Sequence, residues 1–197
     1  ENIQATIDDL KCKHHLIHLN TSGFFERLKK LVNYHDAPVA TVTYYVHSLI
    51  TEAIGKEGYK VSFSGTSADE MLTGYYDHYL MHLAEVKNMS NYQEYLQAWQ
   101  THIKPNTRNP NFRENIYLDR AQFVDTLKCE FKEDFYETNY CSSLLRNRML
   151  NELFEEITPV ILHEDDLNSM LYSIENRSPY LDTNLFNFCY SIPVQHL

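Results

Sequence analysis

Between residues 38 and 58 the apolar positions fall at helical spacing. After Pro38, the residues Val42, Tyr45, Val46, Leu49, Ile50 and Ala53 recur three and four apart, and Gly58 closes the run. The pattern predicts an amphipathic helix that buries those six side chains. Ahead of it, residues 1–11 read as a mixed polar helix and His15 to Leu19 alternate with the period of a strand. Thr21 and Ser22 are placed to cap a helix running through Phe24, Leu28 and Leu31. Tyr59 to Phe63 then reads as a second strand. Strand, helix, strand is the unit of a parallel sheet, so residues 64–68 are expected at a strand's carboxyl end, where open α/β sheets bind ligands.

Beyond Asp69 no long alternating segment appears, and helices are predicted at 69–87, 91–103, 120–131, 134–156, 164–174 and 183–190. Ser90 and Gln93 have the spacing of a capping box for the second of these. Residues 104–115, with Pro105, Pro110 and four Asn, are the most loop-like stretch. The 15 tyrosines fall mostly at helical spacing with Leu and Phe and lack interleaved basic residues, so they read as core filler and not as a base-stacking platform. The fold class expected is α/β and mostly helical.

Composition narrows the function. The 197 residues suffice for a substantial core, and 43% hydrophobic content is ordinary for a globular chain. No apolar run approaches the ~20 residues of a membrane span. A formal charge of −10 opposes non-specific binding of nucleic acid or anionic lipid. Cys12, Cys129, Cys141 and Cys189 are widely spaced and read as reduced thiols in a cytoplasmic protein. His14, His15 and His18 cluster near the start but lack further partners for a zinc site.

The candidate chemistry sits at residues 60–75, K-V-S-F-S-G-T-S-A-D-E-M-L-T-G-Y. Ser64, Gly65, Thr66, Ser67 and Ala68 are small enough for backbone N–H groups to approach phosphate oxygens, and Asp69 offers a hard oxygen ligand for Mg²⁺. The same residues also serve as ordinary helix caps and dipole partners. A second stretch, residues 164–182, reads E-D-D-L-N-S-M-L-Y-S-I-E-N-R-S-P-Y-L-D, and residues 186–193 follow as F-N-F-C-Y-S-I-P. Glu175 and Arg177 stand two apart before Pro179, a spacing that also suits a simple turn anchor, and Asp182 is placed to cap the helix that follows.

Together these segments resemble the synthetase domain of glutamine-dependent asparagine synthetases, whose S-G-x-G-[AS]-D-E-x-x-x-G-Y and D-D-x-x-S-M-x-x-S-x-E-x-R-x-P-[FY]-L-D stretches they parallel in order. The resemblance implies part of an adenine-nucleotide alpha hydrolase-like (ATP-pyrophosphatase) fold, with a nucleotide-site half at 1–80 and a helical half at 81–197. It implies ATP and Mg²⁺ as cofactors, adenylation of the aspartate side-chain carboxylate, and attack by ammonia that a glutaminase domain of the parent chain releases from glutamine. Ser64 and Gly65 match residues that contact the nucleotide, and Asp69 matches the acid that holds Mg²⁺ and pyrophosphate. Glu175 is then expected in an acid/base or ammonia-handling role, and Arg177 in an anion-binding or structural one.

Thr66 takes the place of a family glutamate tied to acyl-adenylate formation, and its hydroxyl cannot supply that carboxylate's charge. Residues 36–45, D-A-P-V-A-T-V-T-Y-Y, lack the Thr-Thr-x-Arg found in some members of the family. Both departures leave the acyl substrate open between aspartate and another carboxylic acid, such as a carboxylated sugar. The five glycines include no adjacent pair for an S-G-G-x-D-S pyrophosphate loop, and the chain begins at Glu1 without a leader. The expectation is therefore an internal fragment of a synthetase domain, inactive when isolated. A non-catalytic helical interaction domain is the reading from another class.

Overall fold

The computed structural model describes residues 2–113 and 136–197. Its chain divides into two compact units, residues 1–62 with 163–177, and residues 63–162 with 178–197. The predicted helix at 120–131, the first two residues of the one at 134–156, and Cys129 lie outside the described residues. Mostly helical secondary structure with a parallel two-stranded sheet places the chain in the α/β class.

The first unit opens with α1 (Asn2–Leu10), as the sequence predicts. The strand expected at His15 to Leu19 does not form: residues 12–20 have no regular structure, and Leu16 and Leu19 are exposed. Alternation there reports a solvated segment, because β1 (Val61–Phe63) pairs instead with β2 (Glu175–Arg177). Helix α2 (Phe24–His35) buries Leu31, which has no exposed surface. Its N-cap is Gly23, and the structure records no side-chain cap bond where Thr21 and Ser22 were expected to supply one.

Helix α3 (Val42–Lys56) forms with a different inward face. Tyr44, Tyr45 and Ser48 are buried, whereas Val42 and Ile50 are exposed. The buried Ser48 hydroxyl and the Tyr44 backbone carbonyl both have partners. Ser48 Oγ donates to Tyr45 O at 2.6 Å, and Tyr44 O accepts from Asn168 Nδ2 at 3.0 Å. Gly58 ends the turn at φ 85, a conformation that favours glycine, with its N–H bonded to Gly55 O.

In the second unit, the helix expected over 69–87 is two helices, α4 (Ala68–Leu72) and α5 (Tyr76–Glu85). Thr73 at φ 68 breaks the run. Helix α6 (Tyr92–Ala98) continues as a π-turn at Trp99–Ile103, and Asn91 rather than Ser90 is its N-cap. Within the span expected as one helix at 134–156, residues 136–143 are irregular. Then α7 (Leu144–Asn151) starts at Ser143, whose Oγ accepts from Arg146 N at 3.1 Å, and a π-turn at Glu152–Glu156 extends it.

Helix α8 (Thr158–Met170) begins six residues before the predicted 164 and stops short of 174. Helix α9 (Thr183–Ser191) matches its prediction. Its N-cap is Asp182, whose Oδ1 accepts from Asn184 N at 2.9 Å and Leu185 N at 3.0 Å. Among the described residues, buried side chains of this unit gather in three clusters: Leu80, Leu83 and Trp99; Met81, Leu145 and Met149; and Met71, Leu153 and Cys189. Each fully buried aliphatic side chain there contributes roughly 1.5–3 kcal/mol. Cys12, Cys141 and Cys189 carry free thiols. No helix among the described residues is long and apolar enough to cross a membrane.

Asp182 closes two otherwise unsatisfied N–H groups of α9, so Asp182→Ala is expected to cost about 1 kcal/mol. A urea unfolding midpoint lowered at unchanged slope is the expected reading.

Candidate active site

The two sequence motifs meet at the two-stranded sheet. Glu175 N donates to Lys60 O at 2.9 Å, and the Ser62 hydroxyl bonds Asn176 Oδ1 at 2.9 Å. Side chains alternate along each strand, so Ser62 and Asn176 share the half-buried face. Glu175 and Arg177 occupy the other face. Their side chains keep 62% and 54% of their surface and pair with each other at 2.9 Å. An ion pair that exposed contributes little to stability, so both groups are accessible to a ligand. Where the sequence suggested a bend, the E-x-R stretch is a strand.

Immediately after β1, the loop is built on hydroxyls. Ser64 Oγ lies 2.9 Å from Thr66 Oγ1 and 3.1 Å from Ser178 Oγ, so the residue that follows β2 joins the loop that follows β1. Gly65 is exposed, and a Cβ added there would meet nothing within 4 Å. Its carbonyl accepts from Ala68 N at 3.2 Å. Ser67, at φ 74, is the N-cap of α4, and its hydroxyl is buried against Thr158 Oγ1 at 3.0 Å.

The acid pair that opens α4 divides its roles. Asp69 is exposed, and among the described residues it has no hydrogen-bond or ion-pair partner. Its carboxylate lies over Gly74: a Cβ at position 74 would stand 2.2 Å from Asp69 Oδ1. Glu70 is buried and accepts from the Tyr75 hydroxyl at 2.5 Å. Burial pushes the Tyr75 phenol well above its ordinary value, and the hydrogen bond to Glu70 and the charges of Glu70, Asp69 and Glu152 add to the shift. Tyr75 therefore stays protonated and holds Glu70 in place, which leaves Asp69 as the available carboxylate. Sequence reasoning missed Gly74, Tyr75 and Ser178, although the G-Y pair of the first motif was the visible trace of the first two.

Behind α4 lies an apolar cavity of about 500 Å³ lined by Met71, Leu153, Phe154, Leu162, Leu181 and Phe186, among others. Among the described residues no lining side chain is charged, so the cavity does not suit a phosphate.

The second motif contributes several buried polar side chains. Asp165, Asn168 and Ser169 are buried. Glu164 Oε1 accepts from Ala40 N at 3.3 Å, and Asp165 Oδ1 lies 2.9 Å from His47 Nδ1. The bond to Asp165 raises the His47 pKa against the opposing effect of burial.

The whole chain, residues 1–197, matches the asparagine synthase family, and the chain belongs to it. Membership carries an asparagine-synthase-like function of ligase type in general terms, with small-molecule substrates and use of ATP. No curated protein and no solved structure matches the chain.

Two outcomes follow from this geometry. Gly74→Ala is expected to cost about 1–3 kcal/mol by overpacking against Asp69. That cost should shrink in an Asp69→Gly background, read as a double-mutant cycle in urea. For the His47–Asp165 pair, the folded pKa of the imidazole lies above the unfolded value of about 6.5. Its stabilisation is then fully present below that unfolded value and is lost as pH rises through the folded one. Unfolding free energies measured across this window should fall with rising pH, and Asp165→Asn should flatten that fall.

Proposed function

We propose that the chain forms part of an ATP-dependent asparagine synthase in which the loop from Ser64 to Asp69 holds the nucleotide's phosphates. In this reading an oxygen of the aspartate side-chain carboxylate attacks the α-phosphorus of ATP and releases pyrophosphate. Ammonia, supplied from glutamine by a glutaminase domain, then attacks the acyl carbon of the adenylate. AMP leaves with the bonding electrons, and the ammonium proton passes to a base. Adenylation is needed because a carboxylate is a poor electrophile.

Asp69 carries the proposal. Its exposed carboxylate is a hard oxygen donor with no competing cationic side chain among the described residues, which fits Mg²⁺. When bound, that ion would neutralise charge on the departing pyrophosphate. Ser64 and Gly65 line the approach, one with a hydroxyl and the other with open space in place of a side chain. Glu175 is assigned proton transfer or ammonia handling and Arg177 the binding of an anionic group, both on the accessible face of β2. The ATP-pyrophosphatase type of fold belongs to the same proposal.

A second reading keeps the chemistry and changes the acid. Thr66 Oγ1 is tied to Ser64 Oγ, so a neutral hydroxyl stands where a charged side chain would select an ammonium-bearing substrate. This favours another carboxylic acid, including a carboxylated sugar.

The test uses the protein that carries this chain, with ATP, ammonium and a panel of carboxylic acids. Aspartate is expected to stimulate AMP release above the rest, and Asp69→Asn to lower that release roughly 100-fold, the scale of losing one electrostatic stabiliser. A panel in which another acid wins transfers the assignment to the second reading. An Asp69→Asn protein as fast as the parent overturns the assigned site, and no AMP release with any acid supports a non-catalytic interaction domain.

A further inference from the structure

The turn that follows α4 is strained. Thr73, the C-cap of that helix, sits at φ 68 and ψ 155. For an L-residue this region is close to forbidden, and a β-branched side chain there persists only when its surroundings impose it. Glycine adopts it freely.

Two contacts impose it, and both run from the residues just after Thr73 back to the acid pair before it. Gly74 lies under the Asp69 carboxylate, so close that an added Cβ would stand 2.5 Å from Asp69 Cγ. The Tyr75 hydroxyl donates to the buried Glu70 carboxylate at 2.5 Å. Hydrogen bonds to a carboxylate are among the stronger ones, and opening the turn would leave Glu70 buried without this donor.

The rest of α4 is held independently, by the Ser67 hydroxyl on Thr158 and by Met71 among Leu153 and Cys189. Asp69 lies between those two anchors, so its backbone stays in place whether or not the turn is shut. Its side chain depends on the turn. A return of Thr73 to negative φ rotates Gly74 and Tyr75 about the end of α4 and removes the surface on which the Asp69 carboxylate rests. The Tyr75 bond opposes that rotation.

We infer that Tyr75 is a positioning residue for Asp69: by holding Glu70 it keeps a strained turn shut, with Gly74 beneath the Asp69 carboxylate. The inference rests on the role proposed above for Asp69 at the nucleotide's phosphates. Mg²⁺ demands near-ideal ligand geometry, so a carboxylate fixed in advance binds with less ordering cost than one that must be collected. Tyr75 and Glu70 act only through Asp69 and Gly74.

Two measurements separate the turn from the site. In the full chain, Thr73→Gly is expected to raise the folding equilibrium constant roughly tenfold, the scale of relieved backbone strain, read as a higher urea midpoint at unchanged slope. In a Tyr75→Phe background, where Thr73 is already able to relax, most of that gain should be absent. In the protein that carries this chain, titration with ATP in excess Mg²⁺ should show Tyr75→Phe, folded by circular dichroism, binding about tenfold more weakly. Adding Thr73→Gly should restore most of that loss, because glycine keeps the shape of the turn without a latch. Glu70→Gln, which keeps an acceptor and removes its charge, is the milder variant and should show the same pattern at smaller size.

Equal gains from Thr73→Gly with and without the Tyr75 hydroxyl overturn the latch, and that measurement needs no nucleotide. Unchanged ATP affinity in Tyr75→Phe, or a loss that Thr73→Gly does not restore, overturns the positioning role while a weakened Asp69→Asn leaves the site standing. An Asp69→Asn protein that binds ATP as the parent does, or a parent that binds none, removes the site and this inference together.

Discussion

Pairing of β1 with β2 is the constraint on which the rest depends. Each strand is three residues long, and they are separated by more than a hundred residues of chain. Short strands of this kind have no stability of their own. The ladder bond from Glu175 to Lys60 and the side-chain bond between Ser62 and Asn176 fix the register. Register in turn decides which side chains face the core and which face solvent, since a slip by one residue exchanges the two sets. Glu175 and Arg177 are accessible because Asn176 is the residue that turns toward Ser62. The loop after one strand and Ser178 after the other then meet through hydroxyls.

What could be read from the sequence was what local forces decide. Helix α9 and its Asp182 cap were legible, because cap and helix are adjacent in the chain. So was the position of the Ser64 to Asp69 loop after a strand. Alternation at His15 to Leu19 misled, because it cannot tell a half-buried strand from a solvated segment that lacks a paired edge. The inward face of α3 was misjudged for a related reason. Ser48 is buried because the Tyr45 carbonyl satisfies its hydroxyl, and the Tyr44 carbonyl takes a bond from Asn168, a partner remote in sequence. The break between α4 and α5 was equally hidden, since Thr73 takes a left-handed φ that no periodicity records.

The two motifs that carry the family likeness do different physical work. In the second, the stretch around Asp165, Asn168 and Ser169 is core, with side chains committed to His47, to a backbone carbonyl or to burial. Glu175 and Arg177 reach outward, as do Asp166 and Asp182. In the loop of the first, Gly65 and Asp69 are exposed, while Ser67 and Glu70 are buried beneath them. A recognisable sequence signature thus combines buried polar anchors with accessible groups.

Helix α4 has five residues, fewer than an isolated peptide needs to offset the entropy of its first turn. Its order is borrowed from Met71 packing with Leu153 and Cys189, and from Ser67 held by Thr158. The loop that ends in Asp69 is therefore not a free flap on a rigid body. Its amide protons should exchange with solvent only when that packing opens, so the loop and the helical core behind it open as a single cooperative foldon.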